Sequence, residues 1–221
     1  MNKTISFPHL GDYSHFVKPL IENVTNLKVN IAPPITKKTL ELGSKHSPDF
    51  VCLPFKYNLG NYIETLDNNN TILFQFGGGC RYGNYAELQK TILENLGYNF
   101  EFYEFVNKGK TGFNKVYKMF KQINPNLKRS TLLKELILIF LKIIIFDKLE
   151  NYSRIKIEKT KGTFKKLKYD YINDIKYEKN IFKIIKKTIK YKRKLKKVPT
   201  KKAKLNFYQV RHLDGKMIMD L

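Results

Sequence analysis

The sequence predicts an α/β fold: a parallel, Rossmann-like sheet with flanking helices, followed by a basic helical region. Three observations carry this expectation. Short apolar runs of strand length alternate with helix-periodic segments through residue 106. Beyond about residue 111 the alternation stops and helical periodicity alone remains. Charge divides in the same way: residues 1–100 hold 9 Lys and Arg against 8 Asp and Glu, whereas residues 101–221 hold 33 against 11. Strands that alternate with helices imply parallel pairing, because each connection must cross back over a face of the sheet. The expected organisation is an α/β domain over residues 1–110 that carries both cysteines, a basic helical region over 111–198, and an irregular tail over 199–221.

Residues 5–10 read as the first strand. Gly11 and Asp12 turn the chain into a helix through Phe16, Leu20 and Val24, with Asp12 as its N-cap. Residues 28–32 read as a second strand, closed by Pro33 and Pro34, which lack the N–H that a ladder needs. Thr36 starts a helix through Leu42, with Gly43 near its end. After Cys52-Leu53-Pro54 a helix carries Leu59, Tyr62, Ile63 and Leu66, and Asn68-Asn69-Asn70 breaks it. Residues 71–76 have the composition of a buried strand, ended by Gly77-Gly78-Gly79. Asn84 and Glu87 form a capping-box pattern for a helix through Leu88, Ile92 and Leu96. Gly97 closes it, and residues 100–106 read as a fourth strand. Helices are then predicted over 112–122, over 128–152 with a stripe of Leu133, Leu136, Ile137, Phe140 and Ile144, and over 163–198 with a thinner stripe of Ile181, Ile185, Ile189 and Leu195. The tail after Pro199 has no clear period, and the chain has no internal repeat.

The net charge of +23 invites a nucleic-acid reading. The composition weakens it: only 5 of the 42 basic residues are Arg, the side chain whose planar fork grips phosphates and base edges. The Lys-rich segments read first as solvated surface. The apolar stretch 136–146 is 11 residues with Lys142 inside it, against about 20 for a membrane span. With no secretory apolar stretch near Met1, the expected location is cytoplasmic. Cys52 and Cys80 are the only cysteines, and a reducing compartment argues against a structural disulfide between them.

Both cysteines sit in stretches rich in turn formers. Cys52 lies between Ser47-Pro48-Asp49 and Pro54, and Cys80 follows the three glycines. Ligands of parallel sheets bind beyond the carboxyl ends of the strands, so both thiols are expected on one rim. Three readings stay open: small buried apolar residues, a redox pair with α-carbons within about 7 Å, or two cluster thiolates. Arg81 beside Cys80, and Lys56 near Cys52, would favour the thiolate. The glycine loop lacks the Gly-Lys-Ser/Thr of a phosphate loop and fails the dinucleotide spacing. His9, His15, His46 and His212 show no zinc spacing; His9, beyond the first strand, is the one on the presumed ligand rim.

Several stretches together carry a resemblance: Phe7-Pro8-His9, Pro33-Pro34-Ile35-Thr36-Lys37-Lys38-Thr39-Leu40-Glu41-Leu42-Gly43, Ser47-Pro48-Asp49-Phe50-Val51-Cys52-Leu53-Pro54-Phe55-Lys56, Asn58-Leu59-Gly60-Asn61 and Gly78-Gly79-Cys80-Arg81-Tyr82-Gly83. They resemble the acyl-CoA dehydratase activase-related proteins, relatives of the 2-hydroxyacyl-CoA dehydratase iron–sulfur subunits. The resemblance is dense over residues 5–106 and looser through about residue 190. It implies an oxygen-sensitive iron–sulfur protein of anaerobic metabolism, an accessory or electron-transfer component that works with an activase ATPase or a dehydratase subunit. It implies Cys52 and Cys80 as metal ligands of a 4Fe–4S cluster, with Lys56, Arg81 and His9 around it. Two thiolates are half of a cubane's common ligand set, so a homodimer or another chain would supply the rest. The chain departs from the family where Gly77, Gly78 and Gly79 stand in place of a further cysteine. It also stops at Leu221, where the family continues into a second α/β half, which makes an inactive truncated fragment one expected alternative. It carries no ATPase signature of its own. From a different class, the alternative is a basic nucleic-acid-binding protein working through residues 161–204.

Overall fold

The computed structural model describes residues 3–68, 71–76, 85–105, 112–154, 156–158 and 162–202. They belong to two compact units, Met1–Glu135 and Leu136–Leu221. The first unit begins with β1 (Thr4–Ser6), a 3-10 turn at Gly11–Tyr13, α1 (Ser14–Thr25), β2 (Lys28–Val29), α2 (Lys37–His46) and α3 (Leu53–Asp67). It continues with β3 (Ile72–Gln75), α4 (Tyr85–Asn95), β4 (Glu101–Glu104) and α5 (Phe113–Ile123). The four strands form one parallel sheet in the order β2-β1-β3-β4. Ile5 lies opposite both Val29 and Ile72, and Ile72 through Gln75 pair with Glu101 through Glu104. The predicted α/β class, a parallel Rossmann-like sheet with flanking helices, is the one found.

Right-handed crossovers fix where the helices go. The step from β1 to β2 runs one way along the sheet, and the steps from β2 to β3 and β3 to β4 run the other way, so their helices cover opposite faces. The core follows this division. Leu73 joins Phe55, Leu59, Tyr62, Ile63 and Leu66 of α3 and Leu93 of α4. Its neighbour Phe74, pointing to the other face, meets Phe105 and Phe120 of α5 edge-on at 5.3 and 5.8 Å. Asn124 Nδ2 ties the end of α5 to the Val24 carbonyl of α1 at 2.9 Å.

The first two strands are shorter than predicted. Pro8 cannot donate to the ladder, and the chain leaves the sheet after Ser6; β2 keeps one further bond, from Asn30 N to the Ile5 carbonyl at 2.9 Å, before Pro33 ends it. Asp12 is not the cap of α1. It sits within the 3-10 turn, and Ser14 Oγ instead accepts the Leu10 N–H at 2.9 Å.

α6 (Arg129–Arg154) runs from the first unit into the second, which also holds β5 (Lys156–Glu158), α7 (Thr163–Ile175), α8 (Ile181–Lys197) and β6 (Thr200–Lys202). The single helix predicted over 163–198 is two. α7 closes at Lys176, and Asn180 caps α8 by accepting the Lys183 N–H at 3.1 Å. They pack through Tyr171, Ile172 and Ile175 against Ile184, Tyr191 and Leu195, with the two tyrosine rings stacked at 4.5 Å. Of the predicted α8 stripe, Leu195 is buried and Ile181, Ile185 and Ile189 are exposed. Of the predicted α6 stripe, Leu133, Ile137 and Phe140 are exposed, while Leu132, Lys142, Phe146 and Leu149 are buried. α6 is apolar on nearly every side, so its periodicity could not say which side turns inward. The Lys142 ammonium donates to the Lys176 carbonyl at 2.9 Å, at the negative end of α7. β5 and β6 pair antiparallel where the sequence pattern signalled no strand. Among the described residues, no helix is long and apolar enough to cross a membrane.

Candidate functional site

Adjacent β1 and β3 send their chains to opposite sides of the sheet, so the crevice for a ligand opens beyond their carboxyl ends. The loops around that crevice are tied by one buried side chain, Asn61 of α3. Its Oδ1 accepts the His9 N–H at 2.7 Å, beyond β1. Its Nδ2 donates to the Pro33 carbonyl at 2.9 Å, beyond β2. Ser6 Oγ adds a bond to the Asn30 carbonyl at 2.7 Å. Phe7-Pro8-His9, the stretch from Pro33 and the stretch ending at Asn61, singled out separately in the sequence, thus meet at one rim.

His9 is oriented by the same loops. Its Nδ1 lies 3.0 Å from the Ala32 carbonyl. A carbonyl only accepts, so Nδ1 is the donor in this contact and Nε2 is the ring nitrogen left for another partner. That is the arrangement a metal-binding or proton-transferring histidine needs.

Thr36 and Thr39 form a capping box at the start of α2. Thr39 Oγ1 also donates to Glu64 Oε2 of α3 at 2.9 Å. α2 and α3 cross with backbone against backbone. A Cβ on Gly43 would stand 1.7 Å from the Lys56 carbonyl oxygen, and one on Gly60 would stand 1.9 Å from that of Thr39. Gly43 therefore serves a helix contact rather than a helix end.

α3 runs down to β3, so its first residues lie on the ligand side of the sheet. Cys52 is its N-cap residue and is exposed. Pro54 in the first turn suits a position where N–H groups have no helical partner. Phe50 and Leu53, on either side of the thiol, are also exposed, Phe50 at 88%. Cys52 Sγ lies 3.6 Å from the Tyr85 hydroxyl, and the Tyr85 ring meets Phe55 edge-on at 5.0 Å. Lys56 follows one helical turn after Cys52. Cys80 and Arg81 lie outside the described residues, as does the predicted cap Asn84. Tyr85 is the first described residue after them. About 13 Å of helix rise separates Cys52 from Asn61, the residue that holds His9.

Nothing in the sequence pattern marked the polar groups further along the rim. Gln75, buried at the end of β3, accepts from the Tyr62 hydroxyl; burial holds that phenol well above its ordinary 10.0. Glu104 ends β4. Partial burial raises its carboxyl above the ordinary 4.5, with Lys115 opposing and Glu87 adding to the shift. The available signal was position: Glu104 is an acidic residue at the carboxyl end of an aromatic strand.

The donor set bears directly on a cluster. Cysteine thiolates are the usual ligands of iron–sulfur centres, and the chain has two. Among the described residues, no group of three or more His, Cys, Asp or Glu could hold a metal ion. The residues present fit half of a cubane site, not a whole one. No protein-family model matches the chain, nor does any curated protein or solved structure.

Proposed function

We propose that the α/β unit is an iron–sulfur accessory or electron-transfer component of the 2-hydroxyacyl-CoA dehydratase and activase kind, with Cys52 and Cys80 supplying two thiolates to a cluster shared with a second chain. The observation that carries this reading is the setting of Cys52. It is an exposed thiol at the head of α3, on the ligand side of a parallel sheet. It lies 3.6 Å from the hydroxyl of Tyr85, the residue at which the chain re-enters the described structure five positions after Cys80. The motif resemblance adds the cofactor class and the anaerobic, cytoplasmic setting. A homodimer, an activase ATPase or a dehydratase subunit would complete the ligand set.

The cluster, when bound, supplies one-electron transfer. The protein's own part is to hold and shield it. Cys52 stands at the first turn of α3, and its thiol faces the Tyr85 hydroxyl at 3.6 Å. Exposed Phe50 and Leu53 offer apolar cover that a partner chain would complete. Anaerobic purification with iron and sulfide analysis tests the proposal. Bound iron and sulfide are expected, with most of both lost in Cys52→Ser and in Cys80→Ser. A colourless protein that cannot be reconstituted, or a Cys80→Ser variant with full iron content, would refute it.

A further inference from the structure

α8 carries two apolar faces, and among the described residues only one of them is used in packing. Ile184, Tyr191 and Leu195 bury against α7. At about 100° per residue, Ile181, Phe182, Ile185 and Ile189 fall in one sector of the helix, which adjoins the buried face at Ile181 and turns away from it toward Phe182. All four are exposed, Phe182 at 83%. The same 17-residue helix carries nine Lys or Arg and no Asp or Glu. Lys186, Lys190, Arg193 and Lys197 border the apolar sector, and Lys192 and Lys196 continue it toward the C-terminus.

We infer that α8 docks on an anionic lipid surface, with Ile181, Phe182, Ile185 and Ile189 entering the acyl boundary and the neighbouring lysines meeting headgroup phosphates. Charge complementarity selects the occupant. A face this basic repels a basic partner, including a second copy of α8, and attracts a polyanion. Among polyanions, nucleic acid is gripped by planar Arg forks and leaves no place for three exposed isoleucines and a phenylalanine. Only Arg193 of the nine cations is an arginine. Lysines beside exposed Phe and Ile are instead the composition of a helix lying in the headgroup layer, where apolar insertion and lysine attraction add. This docking needs no membrane span, and it does not depend on a cluster at Cys52.

Flotation of the full chain with vesicles of phosphatidylcholine and phosphatidylglycerol in equal parts tests it. The protein should float with these vesicles and stay behind with pure phosphatidylcholine, and added salt should weaken the binding. Phe182→Ser combined with Ile185→Ser should lower partitioning about tenfold or more without lowering the melting temperature, since both side chains are exposed. Lys190→Gln should lower it about fivefold. Absence of flotation, or flotation unchanged in the double variant, would overturn the inference. So would binding to polyuridylate that the double variant retains while vesicles are ignored; that result would make α8 a nucleic-acid surface. A dimer that the double variant dissolves would also overturn it, since the second copy would then cover the patch.

Discussion

Replacing Gly43 by alanine is expected to destabilise the α/β unit, although the same change in an ordinary helix stabilises by roughly 1 kcal/mol. The sign reverses because of the α2–α3 crossing. An added Cβ would lie 1.7 Å from the Lys56 carbonyl oxygen, whereas real Cβ contacts stay beyond 3.0 Å, so the helices must part by more than an ångström. The obstacle is backbone, and that carbonyl is held within α3, so no side-chain rotation relieves it. Parting by about 1 Å forfeits a quarter to a half of the dispersion energy across the contact. Overpacking costs about 1–3 kcal/mol where side chains give way, and about 3–4 kcal/mol is expected here, where backbone is forced apart. Against the propensity gain, a net loss of about 2–3 kcal/mol is expected. For a unit of this size, that lowers the melting temperature by about 6–12 °C. Urea unfolding followed by far-ultraviolet circular dichroism measures it. Gly60→Ala should behave alike, and the double variant should cost less than the two losses together, because one separation relieves both clashes. A Gly43→Ala protein as stable as its parent would refute the close crossing.

Asn61→Ala should cost about 2–3 kcal/mol in urea unfolding, since it leaves the His9 N–H and the Pro33 carbonyl without their buried partner. Gln89→Met should stabilise by about 1 kcal/mol. Among the described residues, Gln89 Oε1 is a buried oxygen with no hydrogen-bond partner, and Nε2 makes a long 3.4 Å bond to the Phe55 carbonyl. Glu104→Gln should raise the melting temperature at neutral pH by about one or two degrees. The folded carboxyl binds its proton more tightly than the unfolded one, so the parent loses stability as pH rises through the folded value. Melting curves across pH should converge below 4.5, where the group is protonated in both states.

The first unit was legible where its elements carried their own punctuation. Thr36 with Thr39, Pro54 after Cys52 and Gly97 at positive φ mark boundaries that the backbone then obeys. The second unit was legible only as helical. In α6 and α8 the apolar residues lie on more than one side, and the choice of buried side is made by long-range partners such as the Tyr171–Tyr191 stack. Lys142 looked like an interruption of an apolar run; its role as a donor to the Lys176 carbonyl, which caps α7, exists only once the two helices meet. At the rim, Cys52 and His9 were legible by chemical type. Asn61 and Glu104 were not, because their significance is positional: an amide and a carboxylate are ordinary residues until the strands end beside them.

Asn61 and Cys52 belong to one rod. α3 spans about 22 Å, has the thiol at its head, and grips the exits of β1 and β2 from its middle. Gly43 and Gly60 let it rest directly on α2, which gives the rod a fulcrum. The thiol and the imidazole loop are thereby joined through a single helix and one side chain, Asn61, rather than through a run of loops.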